Sequence, residues 1–170
     1  MASTLCRIGM ATMIGALTTV GTAMAQPSGS EGRIIEGTWF IQVTPTICAT
    51  GAPVPGVTPI NSLVTFHRGG TLTEDLAGLA FAPGQRTGGQ GNWSHASGQT
   101  FDQRFVALIA FGSAAGPAGP AVEAGWQTVT HTVEMLDRDT LQSSGTNAFY
   151  RTDGTVYRTG CSTATGHRFE

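Results

Sequence analysis

The chain has 170 residues, nine basic and eleven acidic, with a formal net charge of −2 at pH 7. All the basic residues are arginines and no basic cluster stands out, which argues against nucleic acid as a partner. The 24 glycines, with many Thr, Ser and Val, favour strands and turns over helices. This length is enough for one domain with a substantial core.

The first 25 residues have the pattern of a secretory signal peptide. Arg7 precedes a moderately apolar run, and Ala23-Met24-Ala25 places small residues at the two positions that a signal peptidase recognises. We therefore predict cleavage after Ala25, and a secreted or periplasmic protein. The apolar run is too short and too interrupted to span a bilayer, so we expect no integral membrane segment.

The rest of the chain is predicted to be a flexible segment, residues 26–35, and a single domain, residues 36–170. Within the domain, alternating apolar and polar residues bounded by turn signals indicate eight strands. These strands cover residues 36–48, 61–68, 71–76, 91–96, 100–111, 126–136, 140–150 and 155–169.

The connections between these strands alternate in length. Those after the second, fourth and sixth strands are tight turns, whereas residues 49–60, 77–90 and 112–125 form long loops. In an up-and-down antiparallel sheet, alternate connections lie at the same end, so the long loops share one end. Closure of the sheet removes both exposed edges, and eight strands enclose enough room for a small ligand. We predict an all-β, closed, eight-stranded antiparallel barrel.

Two cysteines, Cys48 and Cys161, remain after the signal peptide. In an oxidising compartment they are predicted to form a disulfide, and neither has a second Cys or His at the spacing of a metal site. If they face each other across the first and last strands, Arg168 lies diagonally beside Trp39 on the inner face, and the cysteines lie on the outer face. A guanidinium group over an indole ring is a favourable cation–π pair.

Gly37-Thr38-Trp39 at the start of the first strand, with Arg168 near the end of the last, resembles the lipocalin and calycin group of small secreted barrels. In that group the tryptophan closes one end of the barrel and the arginine packs across it. The resemblance implies the same structural roles for Trp39 and Arg168. A second resemblance, to the allene oxide cyclase-like barrels, rests on architecture alone.

Strand alternation assigns a mostly apolar set of side chains to the barrel lumen. A few polar members would orient a ligand by one or two hydrogen bonds. The leading hypothesis is a secreted protein that binds or carries a small hydrophobic molecule without a cofactor. The predicted ligand-binding residues are Phe101, Gln103, Phe105, Ile109, Val129, His131, Val133, Met135, Asn147 and Phe149.

Two other functions remain open at this level. A cofactor-independent isomerase or cyclase would use the same lumen, with His131 or His95 as the proton-handling group, although no tight acid–base constellation is present. Alternatively, the side chains fill the barrel and the protein has a structural or interaction role.

Glu74 and Asp75 are interpreted as solvated residues near a loop entrance. The identity of the ligand and the oligomeric state do not follow from the sequence.

Overall fold

The computed structural model describes residues 34–77, 81, 83–112 and 122–169. The predicted signal peptide and residues 26–33 lie outside the described residues. In the described ranges, no helix is long and apolar enough to cross a membrane. The eight strands are β1 (Gly37–Thr46), β2 (Ile60–Phe66), β3 (Thr71–Ala77), β4 (Gly89–Ser97), β5 (Thr100–Gly112), β6 (Val122–Met135), β7 (Thr140–Tyr150) and β8 (Val156–Arg168).

The strands form one closed antiparallel barrel in chain order, and β1 pairs with β8 to complete it. The predicted fold class is therefore confirmed. The tight turns after β2, β4 and β6 lie at one end, which we call the closed end. The longer connections and the β7–β8 turn lie at the other, the open end. Gly69 and Gly70 in the β2–β3 turn have φ values of 92° and 87°, a conformation that favours glycine.

The closed end is sealed by a core built around Trp39, which is fully buried. The indole Nε1 donates a hydrogen bond to the carbonyl of Ile35 at 2.9 Å, and the guanidinium carbon of Arg168 lies 4.3 Å from the centre of the indole ring. Ile35, at the end of the segment predicted to be flexible, is itself fully buried. The main apolar cluster also includes Phe66, Leu72, Phe101, Val133 and Met135.

The observed register between β1 and β8 differs by two residues from the predicted one. Arg168 lies directly opposite Trp39 rather than diagonally, and Thr46 lies opposite Cys161. The disulfide between Cys48 and Cys161 is present, but Cys48 lies beyond the end of β1, so it is not half of a cross-strand pair. Because side chains alternate with a period of two, this shift leaves Trp39 and Arg168 on the same face.

Arg168 also holds the segment before β1 and the β6–β7 turn. Its guanidinium group donates to the carbonyl oxygens of Glu36 at 2.7 Å, Ile34 at 2.6 Å and Arg138 at 3.0 Å. We expect Arg168→Ala to lower the free energy of unfolding by about 2–3 kcal/mol, because three carbonyls lose a charged donor. Arg168→Lys should recover less than half of that loss, because an ammonium lacks the planar fork.

Urea denaturation measures this effect, with Arg104→Ala as the control. Arg104 is exposed on the outer face of β5, so its removal should change stability by no more than about 0.5 kcal/mol. Wild-type stability in the Arg168→Lys variant would show that charge alone holds this end of the barrel.

Candidate functional site

The barrel lumen contains a cavity of about 560 Å³ above the closed-end core. This volume lies in the range of small-molecule sites. Val54 and Phe81 from the open-end connections and Tyr157 at the start of β8 border it, so the cavity extends to that end. Most of the wall is apolar, and its strand residues include Ile41, Val43, Val64, Phe105, Ile109, Val129, Val133, Leu141 and Ala164.

The structure brings most of the predicted lumen residues together around this cavity. Phe101 and Met135 are exceptions, because neither borders the cavity, although both belong to the apolar cluster that includes Trp39. Alternation assigned them to the correct face, but it does not give the depth of a residue along the barrel. The predicted residues that do line the cavity are Gln103, Phe105, Ile109, Val129, His131, Val133, Asn147 and Phe149.

Polar side chains cross this apolar wall at one level of the barrel. The strand register places Gln103 opposite His131, His131 opposite Gly145, and Gly145 opposite Ser162. Ser143 lies two residues from Gly145 on the same face of β7. We call Gln103, His131, Ser143 and Ser162 the polar row. All four side chains are buried and line the cavity.

His131 connects three strands within the polar row. Its Nδ1 lies 3.1 Å from the hydroxyl oxygen of Ser143, and its Nε2 lies 3.0 Å from that of Ser162 on β8. The imidazole reaches across β7 because the intervening residue is Gly145. A Cβ atom at position 145 would lie 2.1 Å from the backbone carbonyl oxygen of Thr130 and 2.5 Å from the imidazole Cδ2, so a side chain there would displace both the β6 backbone and the ring.

Burial lowers the pKa of His131 to about 4, so the imidazole is neutral at pH 7. A neutral imidazole has one N–H donor and one acceptor nitrogen. One serine therefore accepts a hydrogen bond from the ring and the other donates one to it. Among the described residues, no carboxylate is hydrogen-bonded to either ring nitrogen.

This low pKa predicts that the barrel loses stability in mild acid. Below pH 6.5, the ordinary pKa of histidine, the unfolded chain binds a proton that the folded chain does not bind until about pH 4. Stability therefore falls as the pH falls through this window. Between pH 7 and pH 5, His131 should account for a loss of about 2 kcal/mol in the free energy of unfolding.

Urea denaturation of wild type and His131→Leu at both pH values isolates this contribution. Glu74, whose pKa is raised in the folded state, has the opposite pH dependence, but it is present in both proteins and cancels in the comparison. Parallel pH profiles for the two proteins would contradict the prediction.

Gln103 has an unusual environment for a buried amide. The residue is 7% exposed, and its Oε1 is buried with no hydrogen-bond partner among the described residues. Buried polar atoms without a partner are rare in native proteins, because each one costs desolvation free energy. An unpartnered amide oxygen beside an apolar cavity is the kind of group that a hydrogen-bond donor on a bound molecule would satisfy.

The cavity wall also contains a buried ion pair that the sequence did not reveal. Arg86 Nη1 lies 2.9 Å from Glu74 Oε2, and the two side chains are 5% and 4% exposed. Arg86 Nε donates to Gln127 Oε1 at 2.8 Å, and the Ser62 hydroxyl donates to Glu74 Oε1 at 3.3 Å. The interpretation of Glu74 as solvated is therefore wrong, whereas its neighbour Asp75 is exposed. Burial raises the pKa of Glu74, and the Arg86 guanidinium opposes part of that rise.

Arg86 reaches this position because its part of the β3–β4 connection lies along the end of β5. The backbone amide of Ala110 donates to the carbonyl of Gln85 at 2.8 Å, and that of Thr87 donates to the carbonyl of Leu108 at 3.0 Å. The ion pair thus joins this connection to the inner wall of the barrel. No sequence spacing signals the contact, because it depends on how a loop folds back over the open end.

The other candidate groups lie apart from the polar row. His95 does not line the cavity, and its Nε2 lies 2.8 Å from the carbonyl oxygen of Gly98 in the β4–β5 turn at the closed end. Cys48 and Cys161, joined by the disulfide, border the cavity at the open end. In the part of the chain that the structure describes, no three His, Cys, Asp or Glu residues are grouped to hold a metal ion.

Comparison of the chain with protein-family models, with curated proteins and with solved structures found no match. The likeness to lipocalins and calycins therefore rests on architecture. The closed eight-stranded up-and-down barrel is consistent with that fold.

Proposed function

We propose that this protein binds a small, mostly apolar molecule in the barrel lumen and acts as its carrier. The observation that carries the proposal is the cavity of about 560 Å³ with a largely apolar wall. Protein interiors are normally packed as densely as organic crystals, so a cavity of this size costs the barrel packing contacts. A bound ligand would restore the missing contacts.

The cavity favours binding over a purely structural role. A barrel filled by its own side chains needs large residues across the middle of the lumen, whereas in this barrel Phe105 and Phe149 border the cavity without filling it, and Trp39 and Phe101 lie in the closed-end core. Above them the wall presents Val43, Val129 and Ala164, which leave space. The distribution of side-chain size thus supports a closed floor beneath a binding chamber.

The geometry of His131 favours binding over catalysis. Both of its ring nitrogens are engaged by serine hydroxyls, and its lowered pKa makes it a weak base at neutral pH. The other catalytic candidate, His95, is hydrogen-bonded to a turn carbonyl and does not line the cavity. These contacts and the low basicity of His131 disfavour an isomerase or cyclase.

We also propose that the chain is exported. The pattern of residues 1–25 predicts a signal peptide, and the disulfide Cys48–Cys161 suits an oxidising compartment. N-terminal sequencing of the protein from its source tests this, with Gln26 expected as the first residue of the mature chain.

The binding proposal is tested with N-phenyl-1-naphthylamine, a neutral apolar dye whose fluorescence rises in apolar surroundings. We expect saturable binding at one site, with a dissociation constant in the micromolar range. Val129→Trp would fill the lumen and should weaken binding at least tenfold. Thr130→Trp places the same indole on the exposed outer face of β6 and should leave binding unchanged. Absence of saturable binding, or equal effects of the two substitutions, would contradict the proposal.

A further inference from the structure

One serine hydroxyl proton of the polar row has no hydrogen-bond acceptor among the described residues. Ser143 and Ser162 each hydrogen-bond to His131, and neither hydroxyl has another hydrogen-bond partner among the described residues. Because the neutral imidazole supplies one N–H and one lone pair, only one serine donates its proton to the ring. The proton of the other serine is left without an acceptor, and both side chains line the cavity.

The position of this spare donor depends on the tautomer of His131. With the proton on Nδ1, Ser143 accepts from the ring and its own hydroxyl proton is spare. With the proton on Nε2, the spare proton belongs to Ser162. In either tautomer the protein offers one hydroxyl donor to the cavity, and a change of tautomer moves it from β7 to β8.

The charges around the cavity indicate that the complementary group is neutral. Arg86 is paired with Glu74, and His131 is uncharged at pH 7. Arg158 borders the cavity only at the open end, where it is exposed and its guanidinium carbon lies 5.3 Å from the centre of the Phe149 ring. A carboxylate at the polar row would therefore lose its hydration without gaining a free cation beside it, which is unfavourable.

We propose that Ser143, His131 and Ser162 form a subsite for a neutral oxygen acceptor, such as the carbonyl, ether or hydroxyl oxygen of an otherwise apolar ligand. The spare serine hydroxyl donates to that oxygen, and His131 determines which serine is the donor. The inference rests on the proposed function and adds the chemical class of the ligand.

The test uses two probes of nearly the same shape, 2-acetylnaphthalene and 2-ethylnaphthalene. Their dissociation constants are measured by displacement of N-phenyl-1-naphthylamine, and the ratio of the ethyl constant to the acetyl constant gives the preference for a carbonyl. The protein is compared with His131→Leu, which keeps both hydroxyls, and with the triple variant Ser143→Ala/His131→Leu/Ser162→Ala, which lacks every donor of the subsite.

We expect the ratio in His131→Leu to stay within threefold of wild type. In the triple variant it should fall about tenfold relative to His131→Leu, the equivalent of one net hydrogen bond. Unchanged binding of 2-ethylnaphthalene shows that the lumen is intact. If the triple variant does not fold, Ser143→Ala and Ser162→Ala are each combined with His131→Leu, and at least one pair should lower the ratio threefold or more.

Three outcomes would overturn the inference. If both probes bind but the ratio is the same with and without the serines, the subsite is wrong and the proposed function stands. If 2-naphthoate binds wild type more tightly than 2-acetylnaphthalene at pH 7.5, the ligand class is not neutral. If neither the dye nor the two neutral probes bind to the protein, the proposed function fails together with the inference.

Discussion

Replacing Cys48 and Cys161 with serine is expected to lower the free energy of unfolding by about 4 kcal/mol and the melting temperature by about 10 °C. The two cysteines are separated by 113 residues, so the disulfide removes much of the conformational freedom of the unfolded chain. It also joins β8 to the segment that follows β1, beside the one strand pair that closes the barrel. Because β1 and β8 lie at opposite ends of the domain sequence, their pairing closes a longer loop than that of any other strand pair. The disulfide therefore stabilises this pair more than the others.

Urea denaturation with and without reductant measures the contribution of the disulfide. Wild type should lose stability when reduced, whereas the double serine variant should be unaffected by reductant and match reduced wild type. A difference below about 1 kcal/mol between oxidised wild type and the variant would contradict the predicted contribution, because native disulfides that close long loops typically contribute more.

Replacing Arg86 with methionine is expected to lower the free energy of unfolding by about 3–4 kcal/mol, because Glu74 would remain buried without its cation. Arg86 is 5% exposed in its side chain and is the hydrogen-bond donor to both Glu74 and Gln127. The variant should also gain stability as the pH falls towards the pKa of Glu74. That pKa, already raised by burial, would rise further without the arginine.

The double variant Arg86→Met/Glu74→Leu separates two contributions to the free energy of unfolding: the cost of burying Glu74 without a cation, and the net contribution of the ion pair. It should recover most of the lost stability, because an apolar pair of similar volume can replace a buried ion pair. The matched control is Arg151→Met, which removes an exposed arginine from the open-end β7–β8 turn and should change stability by no more than about 0.5 kcal/mol. If the loss of stability in the double variant equals the sum of the losses in Arg86→Met and Glu74→Leu, the two residues are not energetically coupled and the prediction is contradicted.

The observed strands are longer than the predicted ones where small residues interrupt the pattern. β4 begins at Gly89 rather than at residue 91, and β6 begins at Val122 rather than at residue 126. Glycine and alanine have low strand propensity, so the segment before Trp126 reads as a loop. It becomes part of β6 because β5 provides hydrogen-bond partners along its whole length, pairing Gly112 with Val122. Strand pairing overrides local preference here.

The amino-acid sequence was sufficient to predict the barrel, the inward-facing residues of β1, β5, β6, β7 and β8, and two long-range contacts. Alternation has a period of two whatever the register, so Trp39 and Arg168 met although the predicted register was wrong by two residues. The disulfide could be predicted because only two cysteines remain after residue 25. The inward faces follow from a local alternation of side chains, and the disulfide follows because two cysteines allow only one pairing.

The depth of each inward-facing residue and the contacts between polar groups could not be predicted, because both depend on how the strands and loops pack in three dimensions. The Arg86–Glu74 pair depends on a loop that folds over β5, and the contact of His131 with Ser162 depends on the absence of a side chain at Gly145 between them. Phe101 lies in the floor and Phe105, four residues later, lines the cavity. Alternation is the same at every level of a barrel, whereas depth and cross-strand contacts arise from the stagger of strands that are distant in sequence.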